Sequence, residues 1–233
     1  MSEPIALLCA GAAKGLVRAL EPAFTAATGA GVDGTYTAVG ALIERLDAGA
    51  PCDVIVLTAA LITTLEKDGH LVPGSAVSLG SVRTGIAVRA GKPLPEIHDA
   101  ESLRATLAGA SRLYLPDPQR ATAGIHFAGV LRRLHIYDEV RSRLAPFPNG
   151  AAAMAALAQS EGGGQVGCTQ VTEIHYTEGV ALAGPLPEGF DLATVYAAAV
   201  CTGVRERDLA QRFVRMLTGA DSRDLRARGG FEI

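Results

Sequence analysis

Ile5-Ala-Leu-Leu-Cys-Ala10 is an unbroken apolar run ending at Gly11, the pattern of a strand buried on both faces. Leu16, Val17, Leu20, Ala23 and Phe24 then recur at helical spacing until Gly29 and Gly31 stop the helix. Residues 32–37 alternate as a second strand, and Leu42, Ile43 and Leu46 mark a second helix ending at Gly49. Asp53-Val-Ile-Val-Leu57 repeats the buried-strand pattern, and a helix through Leu61, Ile62 and Leu65 closes at Gly69. Three strand-helix units in series predict a parallel sheet covered on both faces.

The rhythm breaks after Pro73-Gly74, where 77–79 and 84–88 read as two extended pieces separated around Arg83, and Gly91-Lys-Pro-Leu-Pro95 as a rigid turn. It then restarts, with helices near 100–107, 123–134 and 151–159 and strands at 112–115, 143–146 and 165–169. A further extended crossing, 193–202, precedes helices near 206–217 and 221–227. The expected fold is α/β with two lobes, each a mostly parallel sheet flanked by helices. One lobe takes residues 1–82 and 195–233, the other 83–194, and crossings near 80–88 and 184–200 suit a hinge.

Hydrophobic residues make up 48% and charged residues 19% of the 233, enough apolar surface to offset the ordering entropy and to exclude bulk disorder. The formal net charge of −3 and the absence of a basic run argue against a nucleic-acid surface and for a small-molecule partner. No stretch reaches the roughly 18 apolar residues of a membrane span, so no membrane insertion is expected. The start, Met-Ser-Glu-Pro-Ile, has an acidic residue where a secretory leader needs positive charge, so the chain as written reads as cytoplasmic, and as periplasmic if a leader was removed. Cys9, Cys52, Cys168 and Cys201 are far apart in apolar or small-residue contexts, without a C-x-x-C pair, and read as buried thiols.

Candidate chemistry lies in loops that follow the strands, because open α/β sheets bind ligands at the carboxyl ends of strands and at helix N-termini. Ala10-Gly-Ala-Ala-Lys14, Thr37-Ala-Val-Gly40, Arg120-Ala-Thr-Ala-Gly124, Asn149-Gly-Ala-Ala152 and Cys168-Thr-Gln-Val171 each join small residues to a helix start, leaving room for a ligand to meet backbone N–H donors. Neither G-x-x-x-x-G-K-[ST] nor G-x-G-x-x-G follows a strand, so no nucleotide or other cofactor is expected. His70, His98, His135 and His175 show no metal-ligand spacing, and no metal is expected.

Cys9-Ala-Gly-Ala-Ala13, Ala48-Gly-Ala-Pro-Cys-Asp-Val54, Pro116-Asp-Pro118 with Ala123-Gly-Ile125, Val166-Gly-Cys-Thr-Gln-Val-Thr-Glu-Ile174 and the terminal Gly230-Phe-Glu-Ile233 together resemble the molybdate-binding type of periplasmic solute-binding protein over nearly the whole chain. The resemblance implies the type II two-lobed fold, closure of the lobes over an oxyanion held by serine hydroxyls and backbone amides, and an ABC transporter permease as partner. It places the family's first serine at Ala12, after Gly11, and the second in Ala38-Val39, where Thr37 is the nearest hydroxyl. The backbone contacts map to Ala123, with Gly124, and to Gly150, while the family's tyrosine maps near Thr169. An oxyanion would thereby lose two or three charge-assisted hydrogen bonds, each about 1.5–3 kcal/mol.

Arg83, Arg120, His126, Asn149 and Gln170 are the polar groups near these loops, and arginine's fork matches a planar carboxylate in two bonds. A small-anion receptor, for a molybdate-like oxyanion or a small carboxylate, is therefore the leading expectation. The alternative is an isomerase of an unsaturated carboxylate, since the fold also resembles that of an aconitate isomerase. It would use His126 or Asp117 as base and Arg83, Arg120 and loop amides as donors. Cys168, just before a helix start, is a candidate nucleophile.

Overall fold

The computed structural model of the protein describes residues 3–233. They divide into two compact units, one extending to Val82 and resuming over Thr194–Ile233, the other spanning Arg83–Ala193. The first unit contains β1 (Ile5–Ala10), α1 (Lys14–Thr28), β2 (Val32–Thr37), α2 (Val39–Asp47), β3 (Val54–Thr58) and α3 (Ala59–Lys67), and β4 (Val77–Arg89) carries the chain into the second. There follow α4 (Ala100–Gly109), β5 (Arg112–Pro116), α5 (Thr122–Arg133), α6 (Tyr137–Val140), β6 (Leu144–Phe147), α7 (Gly150–Ala158), β7 (Gln165–Gln170), α8 (Val171–His175) and β8 (Val180–Pro185). β9 (Ala193–Val200) returns to the first unit, which α9 (Arg207–Thr218) and α10 (Arg223–Arg228) complete.

In the first unit β1 is the hub. It pairs in parallel with β2, Ile5 opposite Val32, and with β3, Leu7 opposite Val54, while β9 adds antiparallel to β3. All six β1 residues are buried, which accounts for their lack of polar alternation. Leu16, Val17 and Phe24 of α1 cover one side of the core, and Phe24 meets Phe213 of α9 edge to face at 4.9 Å between ring centroids.

The second unit repeats this plan with β5 as hub, parallel to β6 and β7, while β4 runs antiparallel to β7 and β8. Leu103, Leu113, Leu115, Phe127 and Leu131 form its larger core, and Ala153, Met154, Leu157 and Ile174 a second one. Close helix-sheet packing depends on Gly167 of β7, where a Cβ would stand 2.5 Å from Met154 Cε.

Three elements differ from the sequence reading. The two extended pieces around Arg83 are one continuous strand, β4, because Gly80 takes the positive φ of 119° that lets the strand pass within reach of the Glu232 backbone. β8 is a strand of its own rather than the start of a long crossing. The four-residue helix α6, where no element was expected, fills the turn before β6.

Candidate functional site

At the carboxyl ends of β1, β2 and β3 the chain turns directly into helices. The 3-10 turn Gly11–Ala13 leads into α1, Ala38 is the N-cap of α2 and Thr58 that of α3, and none of these starts has a side-chain cap. With small or apolar residues at the cap, the first-turn N–H groups keep their capacity to donate to an incoming group, and the helix dipole favours an anion there. Gly11 and Thr37 are half-buried, and Ala12, Ala38 and Val39 are buried. Tyr36, one residue before Thr37, went unnoticed in the sequence. Its ring lies over Gly34, where a Cβ would stand 2.4 Å from the phenol oxygen, and Lys14 and Arg18 of α1 face the ring at 5.9 and 5.1 Å. Its hydroxyl is buried without a hydrogen-bond partner, and burial pushes the phenol pKa up.

In the second unit α5 also starts without a side-chain cap, after Ala121. Ala123 is buried in its first turn, and Gly124 is needed because a Cβ there would stand 2.3 Å from the carbonyl oxygens of Pro116 and Asp117. Asp117 is a turn residue: its Oδ1 accepts from the N–H of Gln119 at 2.8 Å and of Arg120 at 3.2 Å. His126 donates Nε2–H to the Phe190 carbonyl at 2.7 Å, so this ring nitrogen fastens α5 to the chain after β8. Arg83 is a half-buried residue of β4, and Arg120 is exposed in the turn before α5.

The start of α7 is already occupied. Asn149 caps it by accepting from Ala152 N–H at 2.9 Å, and the Glu173 carboxyl accepts from the N–H groups of Gly150 and Ala151. Glu173 also accepts from Gln170 N–H and from Thr169 Oγ at 2.5 Å. A Cβ at Gly150 would stand 1.9 Å from both the Glu173 carboxylate and Thr169 Oγ, so only glycine fits. Burial is the largest influence on Glu173 and outweighs these donors, holding its pKa above the usual carboxylate range. The buried Gln170 lies opposite Thr84 in the β7–β4 register. Sequence reasoning named Gly150 and Thr169 and overlooked Glu173, which only the turn from β7 into α8 brings back beside Thr169.

The sequence profile of the bacterial extracellular solute-binding protein family matches residues 5–232. The chain belongs to this family. It is similar to an aconitate isomerase of a Pseudomonas species, 24% identical over 226 residues that cover 94% of this chain and 83% of that protein. It is also similar to the molybdate-binding protein ModA of Escherichia coli, 23% identical over 207 residues covering 88% and 79% of the two chains. Among solved structures, the periplasmic molybdate-binding protein of Azotobacter vinelandii superposes with a TM-score of 0.81 over 98% of this chain and 99% of that one, at 19% identity. The mixed α/β fold is that of the type II periplasmic binding proteins.

In this solute-binding protein Cys168 is no nucleophile: it lies inside β7, fully buried, and burial raises its thiol pKa well above the ordinary value. Cys9 is likewise enclosed in β1 and its thiol pKa raised by burial. Among the described residues no group of three or more His, Cys, Asp or Glu is placed to hold a metal, and no helix is long and apolar enough to cross a membrane.

Proposed function

We propose that this member of the family is a receptor for a small anion, a molybdate-like oxyanion or a small carboxylate, held chiefly by main-chain N–H groups. The observation that carries this reading is that α1 and α2, following Gly11-Ala12 and Thr37-Ala38-Val39, begin at largely buried small or apolar residues with no side-chain acceptor on their first-turn N–H groups. The start of α5 at Ala123-Gly124 offers donors of the same kind. Arg83 and Gln170 complete the proposed set, and Asn149, Gly150 and Thr169 act as positioning residues, since Asn149 caps α7 and Glu173 takes up the donors of Gly150 and Thr169.

The relatives support an anion: one is named for binding molybdate and the other for acting on aconitate. Catalysis is the weaker reading, because the bases it would draw on are engaged with the chain's own backbone, His126 with Phe190 and Asp117 with Gln119 and Arg120. Membership of the family supports an ABC transporter permease as partner and a periplasmic site of action for the exported protein.

A thermal-shift screen against molybdate, tungstate, sulfate, phosphate and small carboxylates tests the reading. A ligand at about 100 times its Kd adds about 2.7 kcal/mol, equivalent to a rise of about 5–10 °C in Tm for a chain of this size. Such a rise with one anion class is expected. No shift with any of them, or turnover of an unsaturated carboxylate with proton exchange from solvent, would contradict a receptor.

A further inference from the structure

Cys52 and Cys201, 149 positions apart in sequence, meet inside the first unit with their sulfurs 3.2 Å apart. The β3–β9 ladder brings them together. Val54 lies opposite Val200, and one step further the Cys201 N–H donates to the carbonyl of Asp53, the residue after Cys52. Cys201 is buried and Cys52 half-exposed, so one thiol is open to a reagent and the other is not. The Cys201 thiol donates to Cys52 Sγ, which itself lies 3.3 Å from the Val54 carbonyl. Only about 1.1 Å of approach separates these sulfurs from a bonded pair.

We propose that Cys52 and Cys201 form a dithiol–disulfide pair, with Cys52 as the attacking and Cys201 as the resolving sulfur. The oxidant is a disulfide, either a small molecule or a protein. The Cys52 thiolate attacks one sulfur of that disulfide and expels the other as a thiolate, giving a mixed disulfide on Cys52. Cys201 gives up its proton to the expelled thiolate, and its sulfur then attacks Cys52 Sγ. The Cys52–Cys201 bond forms, the second thiolate leaves and takes a proton from solvent, and one external disulfide has become two thiols. That bond closes a loop containing the whole second unit, and ties the start of β3 to the end of β9. The bond of Cys201 to Cys52, and then its burial, raise its pKa, which keeps it protonated until the mixed disulfide forms.

The test is incubation of the folded full chain with oxidised glutathione, followed by denaturation, alkylation and peptide mass spectrometry. Expected is a chain short of two hydrogens, a peptide pair joined through Cys52 and Cys201, and alkylation confined to Cys9 and Cys168. The oxidised chain should melt several degrees higher than the reduced one, by loss of unfolded-state freedom. Cys201→Ser should stop at the glutathione adduct on Cys52, and Cys52→Ser should keep its three thiols free. A wild-type chain that keeps four free thiols, or that holds glutathione on Cys52 with Cys201 still alkylatable, would overturn the proposal. Circular dichroism of each serine variant distinguishes a folded chain from a failed one.

Discussion

Glu173 shows how far one buried side chain organises its neighbourhood. It draws donors from the start of α7, from Gln170 just before its own helix α8 and from Thr169, and in doing so restricts position 150 to glycine. Its pKa, raised by burial, means that the folded chain holds this proton more tightly than the unfolded chain. The associated stability is complete below the unfolded carboxylate value and is lost as pH rises through the folded one. Urea unfolding between about pH 4 and about pH 8 should therefore show the wild type losing stability relative to Glu173→Gln as pH rises. The variant should be less stable at the acid end by about 1–3 kcal/mol, because its amide nitrogen faces N–H and O–H donors. Parallel profiles for the two proteins would show that Glu173 does not titrate in this range. The sequence could reveal Gly150 as a small residue at a helix start, but not that a carboxyl four residues beyond Thr169 fills the space beside it.

Among elements, the opening of β3 is fixed to two others by one carboxylate. Asp53 accepts from Ala6 N–H of β1 at 2.8 Å and from Arg205, after β9, at 2.7 Å. Burial opposes its ionisation, but the bonds from Arg205 and Ala6 prevail and hold its pKa below the ordinary value. The sign is opposite to that of Glu173: this contribution is present above the unfolded pKa and is lost as pH falls through the folded one. Asp53→Ala should cost about 1–3 kcal/mol near neutrality, moderated by the partial exposure of Arg205, and should flatten the acid limb of the stability profile. An acid limb unchanged in the variant would exclude this pair from acid unfolding. The strands joined here, β1 and β3, were legible because both are enclosed and thus continuously apolar. β8 was not, since its residues are only half-buried and end in Gly-Pro, giving neither alternation nor a run. The pairing of Cys52 with Cys201 was equally hidden, because it depends on the register of β3 against β9 and not on spacing in sequence.

At the scale of the whole chain, two similar sheet units share one polypeptide that passes between them twice, within β4 and at the start of β9. The family profile spans nearly all of it, and the resemblance visible in Cys9–Ala13, Pro116-Asp-Pro118 and Gly230–Ile233 had pointed to the same fold. On the proposed reading, main-chain donors at Ala12 and Ala38-Val39 suffice where the resemblance implies serine hydroxyls. Calorimetric titration of wild type and Val39→Pro with the anion found by thermal shift tests it most directly. Val39 is the first residue of α2, a position that tolerates proline, and Ala38 has φ −64° and ψ 147°, which suits a residue before proline. The substitution removes one N–H and exchanges the buried valine side chain for a slightly smaller apolar ring. One anion bound per chain is expected, with an affinity about 10- to 100-fold weaker in Val39→Pro at nearly unchanged Tm, corresponding to one charge-assisted hydrogen bond. Equal affinity in the two proteins would contradict main-chain binding at this helix start.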